Sequence, residues 1–116
     1  MADNSYPKTL RLLSARDFSN LKVDSKLFKK SLLRIYYKTN DLTNSRLGIS
    51  VSTRVANSVL RSRFKRILRE EFRVSNLRSK NLDILCVVQT FGKDTDIEKI
   101  EYLLRSQLQD FVKAQG

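Results

Sequence analysis

Asn57-Ser-Val-Leu-Arg-Ser-Arg-Phe-Lys-Arg-Ile-Leu-Arg-Glu-Glu-Phe-Arg73 is the stretch from which the rest of the chain can be read. On a helix turning about 100° per residue, it divides into two faces. Leu60, Phe64, Ile67, Leu68 and Phe72 recur at helical spacings and form an apolar stripe. Arg63, Lys65, Arg66, Arg69 and Arg73 spread over the opposite half, with Arg61 at the border and only Glu70 and Glu71 to offset them. A core-packing face backed by that many cations suits a helix that docks on a polyanion. A solvated helix face is the plainer alternative. Asn57 or Ser58 serves as the N-cap. Glu70 is one turn from Arg66, within reach of an i,i+4 pair. Glu71 falls near the apolar stripe and is expected at its edge, paired or reaching water.

On the N-terminal side two segments alternate with a period of two. In Ser31 to Lys38, Leu33, Ile35 and Tyr37 point one way and Arg34, Tyr36 and Lys38 the other. In Arg46 to Ser52, Leu47, Ile49 and Val51 oppose Arg46, Gly48, Ser50 and Ser52. The polar turn Thr39–Ser45 between them predicts an antiparallel hairpin. Its polar face is either solvated or a floor for a nucleotide chain, with Tyr36 available for stacking. Further out, Ser14-Ala-Arg-Asp17 resembles a capping box opening a short helix that carries Phe18 and Leu21 and ends near Val23. A polar stretch with Ser25, Lys26, Lys29 and Lys30 follows, and residues 1–13 read as a mobile basic arm.

Beyond the basic helix, Val74–Leu82 reads as a charged linker. Asp83 to Gln89 is nearly all apolar, as a strand covered on both faces should be. After a loop with Gly92, Ile97, Ile100, Leu104, Leu108, Phe111 and Val112 form the core stripe of a last helix from about Asp96. The order helix, strand, strand, helix, strand, helix describes one α+β domain over residues 14–116, with helices packed on a small mixed sheet.

Composition narrows the function. The 116 residues are 41% hydrophobic and include six Phe and four Tyr, enough for a folded core. A formal net charge of +11 repels itself in the compact state, so an anionic partner is the economical explanation. The single Cys lies in the apolar run Ile84–Val88, where it acts as a small hydrophobe and fits a reducing cytoplasm. No apolar run approaches the roughly 18 residues of a membrane span, and no signal-peptide core is visible. A cytoplasmic protein away from membranes is expected. The absence of His removes the commonest general base, and no Gly-rich phosphate loop occurs among three glycines. Asp94, Asp96, Glu98 and Glu101 cluster at the start of the last helix, where its dipole favours acidic residues without any metal. An autonomous nuclease is therefore disfavoured.

The segment from Arg46 to Phe72 resembles, without a gap, the signature of the bacterial ribonuclease P protein component: a strand R-x-G-x-x-V-S, a lysine-rich turn, G-N-A-V-x-R-N-R, then x-K-R-x-x-R-E. Arg16-Asp17-Phe18 is similar to the family's early R-x-D-F segment, and the similarity extends over roughly residues 10–112. Four positions depart from the pattern. Ala56 replaces Gly, Ser62 replaces the central Asn of R-N-R, Thr53-Arg54 replaces the Lys pair, and Lys22 stands where an aromatic is frequent.

The resemblance implies a fold like the second domain of ribosomal protein S5, with a left-handed strand–helix–strand crossover against the general rule. It implies a protein with no catalytic residues and no cofactor of its own. Such a protein binds one-to-one to a catalytic RNA that uses RNA-bound Mg2+ to cleave the 5′ leader from precursor tRNA. Asn57, Arg61, Ser62, Arg63, Lys65, Arg66 and Arg69, with Arg54, would contact RNA. Phe18, Tyr36, Ser50 and Ser52, with Arg54, would line a leader cleft between the basic helix and the sheet. A small ribosomal or general RNA-binding protein is the alternative within the same class, and a basic module for an acidic protein the alternative outside it.

Overall fold

The computed structural model describes residues 15–92 and 94–116. The basic arm over residues 1–13 and the cap at Ser14 lie outside the described residues. Helix α1 (Ala15–Val23) is followed by strands β1 (Lys26–Lys29), β2 (Leu33–Thr39) and β3 (Arg46–Ser50), helix α2 (Ser58–Val74), strand β4 (Leu82–Val88) and helix α3 (Ile97–Ala114). The expected elements occur in the expected order, with β1 added. This strand lies in the stretch read as merely polar: Lys26 and Lys29 are exposed, and its fourfold antiparallel register with β2 needs little apolar content at a sheet edge.

The sheet order is β1-β2-β4-β3. The predicted hairpin is therefore not formed, because β4 inserts between β2 and β3, antiparallel to the first and parallel to the second. Alternation assigns each residue to a face but does not choose the neighbouring strand. The choice follows from burial. Ile84, Leu85 and Cys86 have no exposed surface, so the strand apolar on both sides takes the centre, and the α2 crossover supplies the connection a parallel pair requires.

Helices α2 and α3 cover one face. Phe64, Leu68 and Phe72 of α2 and Leu104, Leu108 and Phe111 of α3 are fully buried against Leu33, Ile35, Leu47, Ile84 and Cys86. Each such side chain contributes about 1.5–3 kcal/mol from burial. Phe28 and Tyr37 meet Phe111 edge-on, with ring centroids 5.3 and 5.0 Å away. On the other, outer face, α1 packs Phe18 and Leu21 on Tyr36, Leu85 and Val87.

Two polar devices close the core. The Gln107 Oε1 of α3 accepts from the backbone N–H groups of Leu32 and Leu33, at 3.0 Å each, and its Nε2 donates to Ser31. The segment read as a linker contains a 3₁₀ turn, Asn76–Ser79, that buries Leu77 completely. The Ser45 hydroxyl donates to the Leu77 carbonyl and accepts from the Leu82 N–H at 3.0 Å. Burial pushes the Cys86 thiol up to about 12, so it behaves as the inert apolar group its sequence context suggests.

Candidate nucleic-acid interface

The Asn57 side chain caps α2 by accepting from the Leu60 N–H at 2.9 Å. The first turn contains no acidic residue, and Arg61 and Arg63 follow directly, against the helix dipole. Cations placed where they weaken the helix point to a use other than helix stability.

The structure splits the basic half into two flanks. Arg63 turns towards α3 and pairs with Glu101 at 2.5 Å; the Glu101 side chain is only 11% exposed. Arg61, Lys65 and Arg69 lie one turn apart on the flank away from α3, their stems partly buried. Ser62 and Arg66 are exposed on the crest between them. Glu70 pairs with Arg73 at 3.0 Å rather than with Arg66, and Glu71 accepts from Gln109 at 2.7 Å, at the edge of the helix interface as expected. Of the acidic group at the start of α3, Asp96 is the N-cap and Glu101 is the interhelical partner of Arg63.

Phe18 and Tyr36 are brought together, but not against the basic helix. They belong to the outer face beneath α1, whereas α2 packs on the opposite face. The residues expected to line one cleft between the basic helix and the sheet therefore do not share a face with that helix: Phe18 and Tyr36 lie on the α1 side of the sheet. The strand register sets the floor of that face in rows. Tyr36, Leu85 and Gly48 form one; Arg34, Val87 and Ser50 form the next. Ser52 and Arg54 are exposed in the tight turn closed by Val55 N–H to Ser52 O at 3.1 Å. This turn runs from the β3 edge to the N-cap of α2, so Ser50, Ser52 and Arg54 link the outer face to the Arg61 end of the ridge. Lys22, where an aromatic is frequent in the resemblance, is exposed at the end of α1.

Arg34 was not among the expected site residues. Its Nε–H is buried and has no acceptor among the described residues. An unsatisfied guanidinium donor is costly, and here it stands in the same row as Ser50, across Val87 of β4. Its place in an alternating strand signals the face, but its missing partner is visible only in three dimensions.

Arg46, the first residue of the signature segment, is structural. Its Nε and terminal nitrogen donate to the two Asp83 carboxylate oxygens at 2.9 and 2.7 Å, and the Asn40 amide donates to the same carboxylate at 2.8 Å. Burial pushes Asp83 up, but the bonds from Arg46 and Asn40 and the charges of Arg46 and Lys38 outweigh it and hold the carboxyl below its ordinary value. The bond to Asp83 in turn raises Arg46, against its own burial, with a smaller contribution from the charge of Asp17 on α1.

Among the described residues no group of Cys, Asp and Glu is arranged to hold a metal ion, and no helix is long and apolar enough to cross a membrane. The geometry offers two linked surfaces: a cationic ridge on a capped helix, and an aromatic-walled floor with Arg34 and serine hydroxyls. Together they can hold phosphates and stack bases.

Comparison with known proteins agrees. The Ribonuclease P family profile matches residues 6–112. The ribonuclease P protein component of Lachnoclostridium phytofermentans is 35% identical over 94 residues, covering 80% of this chain and 81% of that protein. That of Desulforapulum autotrophicum is 30% identical over the full length of both. Among solved structures, the RNase P protein of Staphylococcus aureus superposes with a TM-score of 0.76 at 27% identity, covering 93% of this chain and 96% of that one.

Proposed function

Because the chain belongs to the ribonuclease P protein component family, we propose that it holds the catalytic RNA of ribonuclease P along α2 and the 5′ leader of precursor tRNA across the outer face of the sheet. The observation that carries this reading is the separation of the two surfaces: a basic ridge on one element and an aromatic, cation-bearing floor on the other side of the sheet, joined at Ser50–Asn57. One protein then bridges one RNA subunit and one substrate, and a cytoplasmic place follows from that role. Mg2+ held by the RNA would supply metal-activated water and charge stabilisation in the cleavage itself. The chain's own residues bind and position. Arg61, Lys65 and Arg69, with Asn57, Ser62 and Arg66 beside them, hold RNA phosphates. Phe18 and Tyr36 present ring surface to leader bases, while Arg34, Ser50, Ser52 and Arg54 bond the leader backbone.

A single strand has no groove to read, so stacking and phosphate contacts are the means available. Each stacked base is worth about 1–3 kcal/mol. The Tyr36→Leu variant keeps packing on Leu21 and Leu85 but removes the ring. It is expected to weaken binding of precursor with a long leader by about tenfold or more, and to leave precursor with a single leader nucleotide almost unaffected. Binding titrations of the reconstituted holoenzyme with both precursors check this. Equal losses for the two would remove Tyr36 from the leader path.

A further inference from the structure

Between α2 and α3 lies an open groove of about 310 Å³ lined by Arg63, Arg66, Ile67, Glu70, Glu101 and Arg105. Both carboxylates already have partners, Glu101 in Arg63 and Glu70 in Arg73. Arg66 and Arg105 are exposed, come from different helices, and make no hydrogen bond or ion pair among the described residues. Arg63 keeps half of its side chain exposed, so the guanidinium edge not turned to Glu101 is open to the groove. The lining sets three arginines, drawn from two helices, against two carboxylates, and an incoming anion would offset the remaining positive charge.

We propose that this groove is a second phosphate site, which takes a backbone phosphate diester of the RNA subunit through Arg66, Arg105 and the free edge of Arg63. Guanidinium forks match the paired oxygens of a phosphate, and the buried side chain of Ile67 limits solvent competition at the floor. Glu101 is a positioning residue that holds Arg63 beside the groove by ion pairing. The RNA subunit is the source because the groove lies on the α2–α3 face, across the sheet from Phe18 and Tyr36. The basic helix would then be gripped on both flanks, with α3 contributing a cation outside the signature segment. The inference rests on the function proposed above.

The test measures binding of a bacterial ribonuclease P RNA across a salt series for the wild type, Arg105→Gln and the ridge variant Arg61→Gln/Lys65→Gln, with melting temperatures alongside. Arg105→Gln is expected to bind about tenfold more weakly at low salt, with a log–log salt slope shallower by about one. Its melting temperature and its preference for long-leader precursor should be those of the wild type. Wild-type affinity and slope in Arg105→Gln, with both lost in the ridge variant, would overturn the groove site and leave the functional reading standing. A lowered melting temperature with an unchanged slope would make Arg105 structural and also overturn it. A changed leader preference would assign the phosphate to the precursor and overturn the RNA-subunit assignment. If the wild type shows no salt-dependent binding at all, the functional reading fails before the groove is in question.

Discussion

Asp83→Ala is expected to lower the unfolding free energy by about 3 kcal/mol and the melting temperature by about 12 °C. The carboxylate is 8% exposed and satisfies two donors of Arg46 and one of Asn40, so its removal strands three donors at once. The figure is at the low end for a broken buried pair because Arg46 keeps 26% of its side chain exposed. Arg46→Ala should cost a similar amount, and the double variant less than the sum, since the pair is coupled. The pH dependence has a definite sign. The Asp83 carboxyl is held below its ordinary 3.8, so its contribution is fully present above that value and fades as pH falls through the lower folded value. The gap between wild type and Asp83→Ala should therefore be constant near neutrality and narrow in acid. Chemical denaturation at several pH values checks both size and sign. A variant as stable as the wild type at pH 7 would mean that the pair contributes nothing to stability.

The second large effect concerns binding. Arg61→Gln/Lys65→Gln should weaken association with the RNA subunit by about a hundredfold at low salt, taking each phosphate contact as about tenfold. The salt slope should become shallower by about two. Glutamine keeps the helix propensity and much of the stem packing, so stability should change by less than about 0.5 kcal/mol. Fluorescence titration and thermal melting separate the two quantities. Loss of stability with an unchanged slope would make the ridge structural. Arg63 is a poorer probe of the same surface, because its removal leaves the buried Glu101 carboxylate without its partner. An affinity loss in Arg63→Ala therefore mixes destabilisation with lost contact, whereas Arg66, exposed and without a partner among the described residues, reports contact alone.

The sequence revealed whatever periodicity encodes. The buried and exposed halves of α2, its cap at Asn57 or Ser58 (Asn57 in the structure), the start of α3 near Asp96, the faces of β2 and β3 and the doubly covered β4 all follow from spacing and polarity. It hid whatever depends on neighbours distant in the chain. The hairpin failed because a period of two does not say which strand lies alongside, and β4 arrives from beyond the crossover helix. Strand β1 was missed because an edge strand of four residues with two lysines has almost no apolar signal. For the site, the cationic helix and Tyr36 were legible as residue types on faces. Their distribution was not. Arg63 differs from Arg66 only because Glu101 lies across the interface, and Arg34 becomes notable only because its Nε–H lacks an acceptor among the described residues. Arg46 looked like one more cation and is instead half of a buried pair.

The central claim is that this protein assists an RNA catalyst without cleaving RNA itself. Precursor-tRNA cleavage by a bacterial ribonuclease P RNA at low Mg2+, with and without this protein, tests it most directly. Strong stimulation by the protein, with no cleavage by the protein alone, is the predicted result. RNA binding without stimulation, or cleavage by the protein in the absence of the RNA, would contradict it.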